Sequence, residues 1–105
     1  MNADLHDRAV LLRPQRVPDE GGGYAFTFNE VAEVAVGVEN RSSSASRRLG
    51  TERRSRRRRF VLRSRSDLIF EMRIRHRGTT YRITDIRDNE AQGRLSVVDG
   101  EEIIV

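Results

Sequence analysis

The chain has 105 residues, no cysteine, twenty arginines with no lysine, and a formal net charge of +4. That length gives one domain with a modest core; the lack of cysteine excludes a disulfide framework and thiolate metal sites, and no apolar run approaches the roughly 18 residues of a membrane span. With 36% hydrophobic and 34% charged residues, the composition suits a small domain with a disordered segment, or a subunit completed by assembly.

Met1–Asp7 is polar and carries no apolar h-region, so no secretory signal is expected and synthesis in a cytoplasm follows. Arg8–Arg13 is a short apolar run that stops at Pro14, which predicts a strand rather than a helix. Pro14, Pro18 and the cluster Asp19-Glu20-Gly21-Gly22-Gly23 predict a chain reversal with a positive φ within the glycines. From Tyr24 the pattern has period two. Tyr24, Phe26 and Phe28 share one face, and Ala32, Val34, Val36 and Val38 resume the even register after a break at Asn29-Glu30 that predicts a bulge or bend between two strand halves. Half of the six aromatic residues lie in this strand, so it is expected to build much of the core.

Arg41–Arg65 holds eleven of the arginines against one acid, Glu52, for a net +10; the remaining residues therefore carry −6. Its first part is small and polar, Ser42 to Ser46, and its end passes through Arg56–Arg59 into Phe60-Val61-Leu62. A helix over Ser46–Arg59 is compatible with its arginines but, lacking an apolar stripe, would need a partner or an anionic surface to stabilise it. The segment reads instead as a long, flexible cationic arm, residues 41–58, between two strands. Phe60 and Leu62 then return to the core face. Met72, Ile74 and His76 alternate with arginines, and Tyr81 and Ile83 follow after a turn around Arg77-Gly78-Thr79, the pattern of a hairpin. Residues 88–93 predict a second turn. Arg94–Asp99 predicts a last strand with Leu95 and Val97 on one face, before the apolar tail Ile103-Ile104-Val105. The total is an all-β domain, a small barrel or sandwich of about five to seven strands with a long basic loop.

Catalytic signals are missing. The two histidines, His6 and His76, are too far apart and too few to suggest a metal site, and His76 fits a core or interface position. Asp85, Asp88 and Glu90 sit among arginines in a turn and read as solvated charges. Asp19-Glu20 before three glycines repels phosphate rather than cradling it, and Ser42, Ser43, Ser44 and Ser46 have no local base. No enzyme and no cofactor are expected.

Several stretches, in order, carry a family likeness: the N-terminal apolar strand, the acidic glycine turn, the strand through Glu30–Glu39, the long loop, Arg59–Arg63, and the hairpin from Met72 to Ile83 with its Gly78 and Tyr81. The chain resembles the small head–tail adaptor or head-closure (stopper) proteins of long-tailed phages and gene transfer agents. The resemblance covers nearly the whole chain and implies one head-closure β-barrel domain, residues 1–105, located in a virion or virus-like particle assembled in a bacterial cytoplasm. It further implies a homo-oligomeric ring below the portal and adaptor, with a tail terminator or tail tube beneath it, closing the channel on packaged double-stranded DNA without a membrane partner. By position the family's long loop is the arm. Its residues Arg47, Arg48, Arg53, Arg54, Arg56, Arg57, Arg58 and Arg59 are expected to meet DNA in the channel or a neighbouring subunit, and Ile103, Ile104 and Val105 to meet the ring or the tail. The alternatives are a monomeric arginine-rich nucleic-acid-binding module, which would bind with steep salt dependence, and a tail-terminator ring subunit. Against the module, the strands show no obvious exposed aromatic pair on which bases would stack.

Overall fold

A computed structural model describes residues 5–46, 53–89 and 94–103. Six strands follow one another: β1 (Asp7–Pro18), β2 (Tyr24–Ser46), β3 (Arg53–Arg63), β4 (Arg73–His76), β5 (Thr79–Asn89) and β6 (Leu95–Glu102). All pair antiparallel and close into a barrel in the order β1-β2-β3-β6-β5-β4. The seam between β4 and β1 is short, with only Val10↔Arg75, Leu11↔Ile74 and Leu12↔Arg73 in register. Of the all-β barrel or sandwich expected from the alternation, the six-stranded barrel is the observed architecture.

Alternation builds the interior. Ala9 and Leu11 of β1, Val36 of β2, Phe60 and Leu62 of β3, Ile74 of β4, Tyr81 and Ile83 of β5 and Val98 of β6 point inward with Met72, and all are buried. Phe60 is the hub: its ring meets Tyr81 edge-on at 5.4 Å and His76 at 5.7 Å, geometries that aromatic quadrupoles favour. His76 is buried as expected, and Asp7 supplies its polar partner at 2.8 Å from Nε2.

Two of the hairpin turns, at Asp19–Gly23 and Arg77-Gly78, follow their chemistry. Gly22 takes φ 84°, and the Asp19 carboxylate accepts from the Gly21 and Gly23 amides at 2.9 Å each. His76 pairs with Thr79 across Arg77-Gly78, both at positive φ (49° and 80°), as the two-residue type I′ turn demands.

Four expectations need correction. β1 does not stop at Pro14 but runs to Pro18; from Arg13 onward only β2 flanks it, and proline is tolerated in such an edge strand. The aromatic stretch of β2 is not core. Leu11 faces Ala32 while Leu12 faces Glu30, so Val31 is an extra residue, one or two positions beyond the anticipated break. A one-residue bulge reverses side-chain parity. Ala32, Val34, Val36 and Val38 therefore point inward, whereas Phe28, Phe26 and Tyr24 fall on the outer face, with Tyr24 62% and Phe26 64% exposed.

The parity of β6 is also reversed: Ser96, Val98 and Gly100 face inward and Val97 lies opposite. Ser96 is buried because its hydroxyl bonds Asp88 Oδ1 at 2.8 Å and Ser64 Oγ at 3.0 Å. Gly100 is needed because a Cβ there would lie 2.9 Å from Tyr81 Cβ and 3.4 Å from the Phe60 ring. Finally, the arm is not a loop along its flanks. Residues 40–46 continue β2 and residues 53–58 continue β3, paired from Asn40↔Arg58 to Ser46↔Arg53 with a register shift between Arg41 and Ser44.

Candidate interaction site: the arginine ribbon and its surroundings

The extended β2–β3 pair forms a two-stranded ribbon. One strand contributes the short residues Ser42 to Ser46, the other the arginines of Arg53–Arg59. Strand alternation continues the barrel's inward face through Arg58 and Arg56 and its outward face through Arg59 and Arg57.

The barrel holds the root of this ribbon. Arg58 Nε–H donates to the Tyr81 hydroxyl at 2.7 Å, above the Phe60 stack. Arg59 donates to Asp99 at 2.9 Å and lies 3.9 Å from Glu39; the Asp99 bond raises the Arg59 pKa further. Arg57 lies 3.6 Å from Glu101. The same two acids of β6 also hold arginines of β5: Arg87 is 3.2 Å from Asp99 and Arg82 is 3.1 Å from Glu101. Two carboxylates, spaced two residues apart so that they share a face, thus tie β3 to β5 through four guanidinium groups. Each partly exposed pair contributes about 0–1 kcal/mol, so the set fixes geometry more than stability. Arg56, by contrast, is exposed and makes no ion pair among the described residues.

Of the other arm residues, Arg53 and Arg54 lie in β3, opposite Ser46 and Ala45, while Arg47 and Arg48 lie outside the described residues. Ile103 continues along β5, its amide donating to the Thr80 carbonyl at 3.0 Å, and it lines a shallow cleft with Arg73, Thr79 and Glu102. Ile104 and Val105 are outside the described residues. Asp85 pairs with Arg87 at 3.0 Å and Asp88 serves Ser96; Glu90 is outside the described residues. Among the described residues no three His, Asp or Glu side chains converge as metal ligands.

A second surface was missed in the sequence. At the other end of β2, the outer face of the β1–β2 hairpin carries Tyr24, Phe26 and half-buried Phe28. The Arg16 guanidinium sits 4.6 Å from the Tyr24 ring centre, and that of Arg73 sits 3.7 Å from Phe28. This is the exposed aromatic pair that the strands had not shown. Its sequence signal was the break at Asn29-Glu30: a bulge before Ala32 turns an apparent core strand outward.

Comparison with known proteins agrees with this architecture. No curated protein matches the chain. A chain in the solved virion of a native gene transfer agent particle has the same fold, with a TM-score of 0.79 at 21% identity, covering 99% of this chain and 100% of that one. Residues 1–102, nearly the whole sequence, match the phage head completion proteins, and the chain belongs to that family.

Proposed function

We propose that this chain is a head-closure subunit of a phage or gene transfer agent particle. Copies form a ring below the portal and adaptor, retain packaged double-stranded DNA and offer the platform on which the tail seats. The observation that carries this reading, beside the family, is the ribbon itself: an arginine-lined pair of strands rooted by Arg57, Arg58 and Arg59 on the barrel and extending past it. A paired ribbon holds cationic groups away from the barrel at a lower ordering cost than a free loop would. In a ring of copies such ribbons are the elements long enough to narrow a channel.

The test is electron microscopy of particles from a strain lacking the gene. DNA-depleted heads separated from finished tails are expected; normal filled, tailed particles would refute the role. A second reading, a monomeric nucleic-acid-binding module, gains one specific observation, the exposed Tyr24–Phe26 face, because bases stack on aromatic side chains. It predicts salt-dependent binding of single-stranded nucleic acid by the purified monomer, lost in Y24S/F26S.

A further inference from the structure

The ribbon and the aromatic face stand at opposite ends of the same 23-residue strand. The aromatic face lies beside the turn acids Asp19 and Glu20, and each of its two flanking rings already takes a guanidinium of its own chain: Tyr24 takes Arg16 and Phe28 takes Arg73. Phe26, between them, is 64% exposed and has no cation over it among the described residues. The other end of the strand offers the complement. Arg53, Arg54 and Arg56 lie there in β3 with no acid among them, Arg53 and Arg54 opposite the small residues Ser46 and Ala45. Guanidinium groups stack on aromatic faces and pair with carboxylates, and gain more from both when water is excluded.

Edge-to-edge pairing on the β1 side is disfavoured at this hairpin. Beyond Arg13 the free edge of β1 contains Pro14 and Pro18, and proline lacks the amide that strand addition needs. Contact there is therefore made through the face.

We propose that the Tyr24–Phe26 face of one copy seats the arginine ribbon of a second copy, with Phe26 receiving a guanidinium from the Arg53–Arg56 segment. The inference rests on the ring reading and specifies its contact. Because donor and acceptor surfaces differ, the interface is heterologous, and repetition of one such contact closes a ring or runs on as a filament. The arm then serves first as a subunit clasp.

The experiment places a photo-crosslinking benzoylphenylalanine at position 26 of the full chain and irradiates purified particles. A covalent dimer of this chain, with position 26 joined to a peptide from residues 53–59 of the other copy, is expected. Y24S/F26S, changing only exposed side chains, should melt as the parent does yet be lost from particles at least several-fold. Crosslinks only to another protein, to nucleic acid or to nothing, with the chain present at parental levels, would overturn the clasp and leave head closure standing. Absence of the parental chain from particles would overturn both.

Discussion

Gly100 is where the barrel's packing can be challenged most directly. It lies in β6 between Arg58 of β3 and Ile83 of β5, facing inward, and its φ is not in the left-handed region, so alanine meets no backbone penalty there. The obstacle is space. The added Cβ would sit 2.9 Å from Tyr81 Cβ, where ordinary contact begins at 3.4 Å. Tyr81 Cβ is fixed to its backbone and cannot swing aside, so β5 and β6 must separate by about half an ångström. Overpacking of this kind costs about 1–3 kcal/mol, offset by up to about 1 kcal/mol from the stiffer unfolded chain. Gly100→Ala should therefore destabilise by about 1–2 kcal/mol. For a domain of this size that lowers Tm by about 5–15 °C, measured by circular dichroism against Gly21→Ala, whose Cβ would touch only Asp19 Oδ1 at an ordinary 3.6 Å. Equal melting of the two variants, or a stabilised Gly100→Ala, would refute the argument.

Three further outcomes follow from the same structure. The hydrogen bond from His76, then the Arg8 amide and the charges of His76 and Arg77, hold the Asp7 carboxyl below the usual range; a depressed carboxylate stabilises the fold above its unfolded pKa and loses that contribution as pH falls through the folded value. Denaturant midpoints should thus fall from about pH 5 downward, and Asp7→Asn should flatten part of that slope; an unchanged slope would contradict it. Arg77→Asn should raise stability by about 0.5 kcal/mol in the same melts, because relief at φ 49° exceeds the loss of an exposed ion pair with Asp7. Ser96→Ala should cost about 1 kcal/mol by removing the hydroxyl that Asp88 and Ser64 share, and a neutral result would mean that water replaces it.

Most of the barrel was legible because most of its strands alternate cleanly. Phe60 and Leu62, Met72, Ile74 and His76, and Tyr81 and Ile83 obey period two, and each faces inward as that pattern implies. What was not legible depended on residues with no apolar signature. Val31 looks like any strand valine, yet as the bulged residue it decides which way three aromatic rings point. Ser96 and Gly100 define the inward face of β6 through a hydroxyl network and a close approach, which a hydrophobic pattern cannot register. The arm's charge was plain in the sequence but its pairing was not, because Ser42–Ser46 and Arg53–Arg58 carry no apolar alternation. A quieter signal was present: Asp99 and Glu101 repeat the two-residue spacing of Arg57 and Arg59, as acids opposing bases on one face of neighbouring strands would.

The core and the arm are mechanically one unit. From the ribbon, Arg58 reaches the Tyr81 hydroxyl; Tyr81 packs on Phe60, Phe60 on His76, and His76 holds Asp7 at the start of β1. That path crosses the barrel from the root of the ribbon to the neighbourhood of its shortest ladder, the three-residue seam between β4 and β1. A load applied to the ribbon would therefore pass to the aromatic stack as well as to the solvent-exposed ion pairs. Tyr81→Phe isolates this coupling: the ring still packs on Phe60, so Tm should fall by no more than about 1 kcal/mol would produce, while the ribbon root loses its neutral anchor. Amide exchange at Arg57–Arg59 should then accelerate well beyond that at Leu62. Uniform acceleration along β3 would show instead that the root of the ribbon opens only when the whole barrel does, and that Arg58 contributes no separate hold.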